Sequence, residues 1–171
     1  SNLDVPRYWL HLTTTTYGTW LRGDPRSFRS RHHREHVAGD HKHPPPPGGY
    51  AKLYEHSRRV MRRAPGLLSQ RARAIACDAI VESLESNGVR IRVAGVDSHH
   101  AHVLAAVPSE HREPESLRAT GRHLLGIAKS RAARLLSKQG LVAPGGVWTK
   151  RSGAFIVRGR SHFLEIESYI A

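Results

Sequence analysis

The stretch Val96-Asp97-Ser98-His99-His100-Ala101-His102-Val103-Leu104-Ala105-Ala106-Val107 constrains this chain more than any other. From Ala101 onward it is apolar and tolerant of β structure, and the alternating run Val89-Arg90-Ile91-Arg92-Val93 comes just before it. Successive side chains of an extended strand point to opposite faces. His100, His102 and Leu104 are therefore expected on one face, with Ala101, Val103, Ala105 and Val107 on the other. Two imidazoles at i and i+2 lie roughly 6.5–7 Å apart along a strand. A divalent ion can sit between their ring nitrogens, with Ala101 anchoring the strand in the core, provided a third ligand is found. The competing reading is a pair of polar-face histidines in a chain that carries 13.

A length of 171 residues suits one domain with a real core. With 39% hydrophobic and 24% charged residues, the chain reads as soluble and globular rather than disordered. Lys and Arg number 27 against 14 Asp and Glu, a surplus of +13 that argues for a polyanionic partner, nucleic acid first among them. A membrane surface is the competitor, but no run approaches the roughly 18 apolar residues of a spanning helix. Ser1-Asn2-Leu3-Asp4 lacks the basic head and apolar run of a secretory leader. The lone Cys77 excludes an internal disulfide and reads as a small core residue in a reducing, cytoplasmic protein.

Tyr8–Thr15 alternates and is rich in β-formers, which predicts a first strand running through Tyr17-Gly18 into a turn. Residues 22–50 show no periodicity. They are basic and histidine-rich and end in Pro44–Pro47 and Gly48-Gly49, the composition of a long surface loop. Within it, His32-His33-Arg34-Glu35-His36 matches the His-x-x-Glu-His pattern of some zinc peptidases. That chemistry needs a docked helix, and no apolar stripe is present to dock one. A basic DNA-facing loop is the better reading.

Helices are expected over Ala51–Arg63, from an N-cap at Ser69 to Ser86, over Glu115–Lys138, and over Phe163–Ala171 with Ser161 as the cap. In the second, Ala72, Ile75, Ala76, Ala79, Ile80 and Leu84 form the buried stripe. The third carries Arg118, Arg122, Lys129, Arg131 and Arg134 on its polar face. A solvated face is the plain reading of those cations and phosphate contact the rival. Short strands are expected at Val147–Thr149 and Ala154–Val157. The order β, α, β, β, α, β-hairpin, α places the chain in the α+β class, a central antiparallel sheet with helices packed on it.

Tyr169 falls on the last amphipathic helix, four residues after Glu165 and so on a common face. A phenol titrating near 10 is a weak nucleophile unless its phenolate or the attacked phosphate is stabilised. An ion held by His100 and His102 would do this, which points to attack of Tyr169 on a DNA phosphate. The plain alternative is a surface tyrosine near a helix end.

Together these residues resemble a known family. His100-Ala101-His102 is similar to the His-hydrophobic-His motif of single-tyrosine HUH transposases, in particular the REP-associated tyrosine transposases. The resemblance covers nearly the whole chain. Leu12-Thr13-Thr14-Thr15-Thr16-Tyr17-Gly18-Thr19-Trp20-Leu21-Arg22-Gly23-Asp24 resembles that family's first strand and turn. Gly145-Gly146-Val147-Trp148-Thr149 with Ser152-Gly153 resembles the strand after its long helix, and Glu167-Ser168-Tyr169-Ile170 its terminal helix.

The resemblance implies a ferredoxin-like (RRM-like) sheet, Mg²⁺ or Mn²⁺ at His100 and His102, and Tyr169 as the attacking group. It further implies single-stranded or hairpin DNA as substrate; a nucleoid setting in a prokaryotic cytoplasm is expected with it, while the sequence leaves monomer or homodimer open. The chain departs from the pattern in three places. His99 stands where Asn is common, the middle motif residue is only Ala101, and the Gln or Asn ligand expected four residues after the tyrosine falls beyond Ala171. Glu165 is the substitute ligand. Arg90, Arg92, Arg118, Arg122, Lys129 and Arg131 are the expected phosphate contacts on charge and periodicity. Three functions follow in order: a DNA-nicking and joining enzyme, a catalytically silent nucleic-acid-binding module of the same fold, and, last, a zinc peptidase through His32 and His36.

Overall fold

Along β1 (Arg7–Thr15) every second side chain is buried: Leu10, Leu12 and Thr14, and Thr16 just beyond, face the core. A computed structural model of the chain describes residues 5–19, 21, 28–29, 36–37, 50–62, 65–143 and 146–171. After β1 come two short strands, β2 (Phe28–Arg29) and β3 (His36–Val37), then α1 (Ala51–Arg59) and α2 (Gln70–Ser86). β4 (Arg90–Val96), β5 (His100–Pro108), α3 (Pro114–Lys138), β6 (Gly153–Ile156) and α4 (Gly159–Ile170) complete the order.

These elements group into two compact units, residues 17–65 and the remainder. In the smaller, β2 and β3 pair antiparallel, and the Arg62 N–H donates to the Tyr17 hydroxyl at 3.2 Å. Helix α1 ends at Arg59, four residues before the periodicity predicts. None of its residues is buried and Val60 is 61% exposed, so no packing holds a further turn. Residues 32–35 of the peptidase-like motif lie outside the described residues.

The larger unit is an α+β arrangement around a four-stranded antiparallel sheet in the order β4-β5-β1-β6. Helices α2 and α3 pack against each other and on one face of the sheet. Ala72, Ala76 and Ala79 of α2 and Ala128 and Ala132 of α3 are almost fully buried. Such small side chains bring the two helix backbones close over Leu10, Leu12, Val103 and Val107. Ser69 caps α2 as predicted, its Oγ accepting the Ala72 N–H at 3.2 Å. The expected face assignment of β5 holds for Ala101, Val103, Ala105 and Val107, all in the core cluster. Leu104 is buried as well, because α4 covers part of the opposite face through β4 and β5.

Two elements of this larger unit also differ from expectation. Val147–Thr149 makes a single bridge, Thr16 to Trp148, rather than a strand. Helix α4 begins at Gly159, not Phe163, because the ring Nδ1 of His162 accepts the Arg158 N–H at 3.0 Å and caps the earlier turn.

Two glycines inside α3 make opposite predictions. A Cβ at Gly121 would lie 2.9 Å from both Leu10 Cδ1 and Leu12 Cδ2, whereas one at Gly126 would meet nothing within 4 Å. Gly121→Val should lower stability by about 1–3 kcal/mol through overpacking. Gly126→Ala should raise it by roughly 0.5–1 kcal/mol through helix propensity. Urea denaturation of both variants against the parent measures the difference.

Candidate functional site

The register of the central strands assembles the site. Thr13 of β1 stands opposite His102 and Thr15 opposite His100, while Gly95 of β4 faces His102 from the other side. His100 and His102 share the sheet face on which α4 lies, their ring centroids 4.8 Å apart and nearly perpendicular. From α4, the ring of Tyr169 meets His102 edge-on with centroids 5.3 Å apart. Gly95, Asp97, His100, His102, Tyr169 and Ile170 line one cleft of about 290 Å³. Tyr169 is 67% exposed, so its phenol opens to solvent from the cleft wall.

Asp97 and His11 are site residues that the sequence did not single out. The Asp97 carboxylate Oδ1 accepts the N–H groups of His99 and His100, each at 2.8 Å, and so shapes the turn that starts β5. Its Oδ2 lies 2.6 Å from His100 Nδ1. Asp97, His99 and His100 each offer a donor atom within 4.8 Å of the others, a grouping suited to a metal ion. Burial works to raise the Asp97 carboxyl, but those two N–H bonds and the neighbouring imidazoles hold it below the usual carboxylate value. On β1, His11 lies diagonal to His102 on the same face, and its Nε2 is 3.1 Å from His102 Nδ1.

Desolvation, helped by the His100 and His11 rings, pushes His102 down to about 4 from 6.5. His102 is thus a neutral imidazole near pH 7, the form that binds metal. Its Nε2 is buried and has no hydrogen-bond partner among the described residues. A polar atom so placed is costly unless something completes it. His102 shares its cleft with Asp97 and His100, which with His99 form the grouping of donor atoms that suits a divalent cation.

The other expected site residues fall apart from this cleft. Glu165 is exposed and is not among the residues that line it. Arg90 is exposed with no ionic partner among the described residues. Arg92 sits at a bulge in β4 and pairs with Glu167 of α4, tying that helix to the sheet. Glu115 accepts from Arg122 at 2.7 Å and meets Arg118 at 3.5 Å, and the Arg122 bond above all holds its carboxyl below the usual value. Arg131 pairs with Glu82 at 3.1 Å.

Lys129 is the residue the helical pattern misplaces: it is only 6% exposed rather than on the polar face. Its Nζ donates to the Thr149 carbonyl at 2.8 Å, to Ser152 Oγ at 2.9 Å and to the Arg151 carbonyl at 3.3 Å. Burial pushes it down to about 8, yet three oxygens satisfy the ammonium near pH 7. Lys129 pins the turn before β6 and is not offered to phosphate.

No family model matches the chain, and no curated protein matches it significantly. No helix among the described residues is long and apolar enough to cross a membrane.

The His102 environment predicts a pH dependence in metal-free protein. Its imidazole titrates near 6.5 when unfolded and about 4 when folded, so in that window the unfolded state binds more protons. Stability is therefore full above about pH 6.5 and falls as the pH drops toward 4. The urea midpoint should decrease on going from neutral to mildly acidic buffer, and His102→Gln should flatten the decrease. An identical decrease in both proteins would contradict the assignment.

Proposed function

We propose that this chain nicks and rejoins single-stranded or hairpin DNA, as an HUH-type transposase or a domesticated relative of one. The observation that carries the reading is the placement of Tyr169 edge-on to His102, in a cleft shared with His100. Residues distant in sequence and expected to act together lie on one side of one sheet. The sheet order, with α2 and α3 on one face and the tyrosine helix on the other, supports a ferredoxin-like identity for the fold. The surplus of +13 supports a polyanionic substrate.

His100 and His102 would hold Mg²⁺ or Mn²⁺, with the Asp97 carboxylate against His100 Nδ1 adding the negative charge that these hard cations favour. When bound, the ion polarises a phosphoryl oxygen and offsets charge that develops during transfer. The remaining chemistry belongs to the chain. The exposed Tyr169 hydroxyl reaches the scissile phosphorus from solvent, and its oxygen forms the new P–O bond as the P–O3′ bond breaks. The 5′ phosphate stays on the tyrosine, and the phenolic proton is balanced by the proton gained at the freed 3′-OH. One phosphoester replaces another, so the reverse step rejoins the strand without ATP. Arg90, Arg92, Arg118, Arg122 and Arg131 supply phosphate contacts spread over the surface, with Lys129 excluded by its burial. That chemistry belongs in a cytoplasm where DNA is accessible, as on a prokaryotic nucleoid.

Incubation with end-labelled hairpin DNA and Mn²⁺ tests the proposal. A protein–DNA adduct that survives SDS and is lost in Tyr169→Phe is the expected result. His102→Ala should abolish the adduct while DNA affinity changes by less than about tenfold, because affinity comes from dispersed cations. Salt-sensitive binding without any adduct would establish a silent DNA-binding module in its place.

A further inference from the structure

We infer that His11 is a positioning residue for His102, holding that imidazole with its proton on Nδ1 and its buried Nε2 bare. The inference rests on the proposed metal site, but its central observable exists without metal.

The two rings lie 26° from parallel with centroids 5.2 Å apart, and His11 Nε2 is 3.1 Å from His102 Nδ1. A proton must lie between these nitrogens for the contact to bond, and it belongs to one ring or the other. In the first arrangement His11 Nε2–H donates. The single proton of neutral His102 then sits on Nε2, a buried atom with no partner among the described residues. In the second, His102 Nδ1–H donates to His11 and Nε2 keeps only a lone pair. A stranded buried N–H is rarer in proteins than an under-satisfied acceptor, so the second arrangement is favoured. It requires His11 to carry its own proton on Nδ1, and that atom is not among the buried polar atoms left without a hydrogen bond.

The sheet makes this arrangement specific. Thr13 is the direct cross-strand neighbour of His102, yet its Oγ1 lies toward Gly153 of β6 and the diagonal His11 ring makes the contact. Phe155 of β6 lies on the far side of His11, with centroids 6.2 Å apart and rings tilted. Asp97 stands to His100 as His11 stands to His102, each next to the Nδ1 of its partner. Both histidines would then present Nε2 to one cation, the pattern in which an outer partner fixes the tautomer of a ligating imidazole.

Long-range ¹H–¹⁵N correlation spectra of uniformly labelled, metal-free protein at neutral pH read the tautomer directly, with His102→Gln to assign the signals. The expected result is a protonated Nδ1 and a bare Nε2 on His102. A proton on Nε2 in the parent protein would overturn the inference, whatever the variants do. Mn²⁺ titration followed by electron paramagnetic resonance gives the second measurement. His11→Phe should weaken binding about 10- to 100-fold. His11→Gln, whose amide oxygen can accept from Nδ1, should restore most of it. Unchanged Mn²⁺ affinity in His11→Phe would also overturn the inference. A parent protein with the expected tautomer that binds no Mn²⁺ would support the role of His11 and refute the metal reading.

Discussion

In the ladder between β1 and β5, Thr13 meets His102, Thr15 meets His100, and Leu10 and Leu12 face the opposite way into the core. Side chains alternate along a strand, so a slip of one residue would exchange the two faces and turn the imidazoles against α2 and α3. Burial of Ala101, Val103, Ala105 and Val107 on the helix side prevents that slip. Hydrophobic burial on one face of β5 thus decides where polar chemistry appears on the other. The same register brings His11 to His102, and the bulge in β4 aims Arg92 at Glu167. Core packing and site geometry are two consequences of one pairing.

Much of this arrangement was legible in the sequence where the determining interactions are local. Strand alternation placed His100 and His102 together, Ser69 announced the start of α2, and the apolar spacing of α2 marked its buried stripe. What stayed illegible depends on contacts between distant segments. His11 is one more alternating residue until the β1–β5 register is known. Lys129 reads as solvated by helical spacing, and only the turn at 149–152 folding over it shows that its charge is used internally. The end of α1 and the start of α4 are set by missing packing and by a histidine side chain acting as a cap, neither of which a periodic pattern encodes. Asp97 lies between these cases. Its position just before Ser98-His99 and the start of β5 signals an Asx-type turn, but the approach of its Oδ2 to the His100 ring is known only from the folded chain.

The charge of the molecule is organised rather than merely large. Four of the arginines expected at phosphate share the carboxylates Glu82, Glu115 and Glu167 at the surface. Exposed pairs of this kind contribute little to stability and leave guanidinium edges open to exchange partners. The cleft differs. Its His102 imidazole is kept neutral by burial, and Asp97 is the only carboxylate among its lining residues. A basic exterior and a donor-rich cleft holding a neutral His102 beside the Asp97 carboxylate are separate features of the molecule.

Gly95 stands opposite His102, and a Cβ there would come 3.3 Å from Ile170 Cγ2 and 3.4 Å from the Ile170 carbonyl. Both are tight approaches, and the second is to backbone that cannot rotate aside. The final turn of α4 therefore rests on the sheet at a height set by a residue with no side chain and no chemical role. Position 95 acts as a shim: a methyl group added there would tilt the helix tip outward and carry the phenol of Tyr169 with it, detuning its distance from the imidazoles while every reactive group stayed in place.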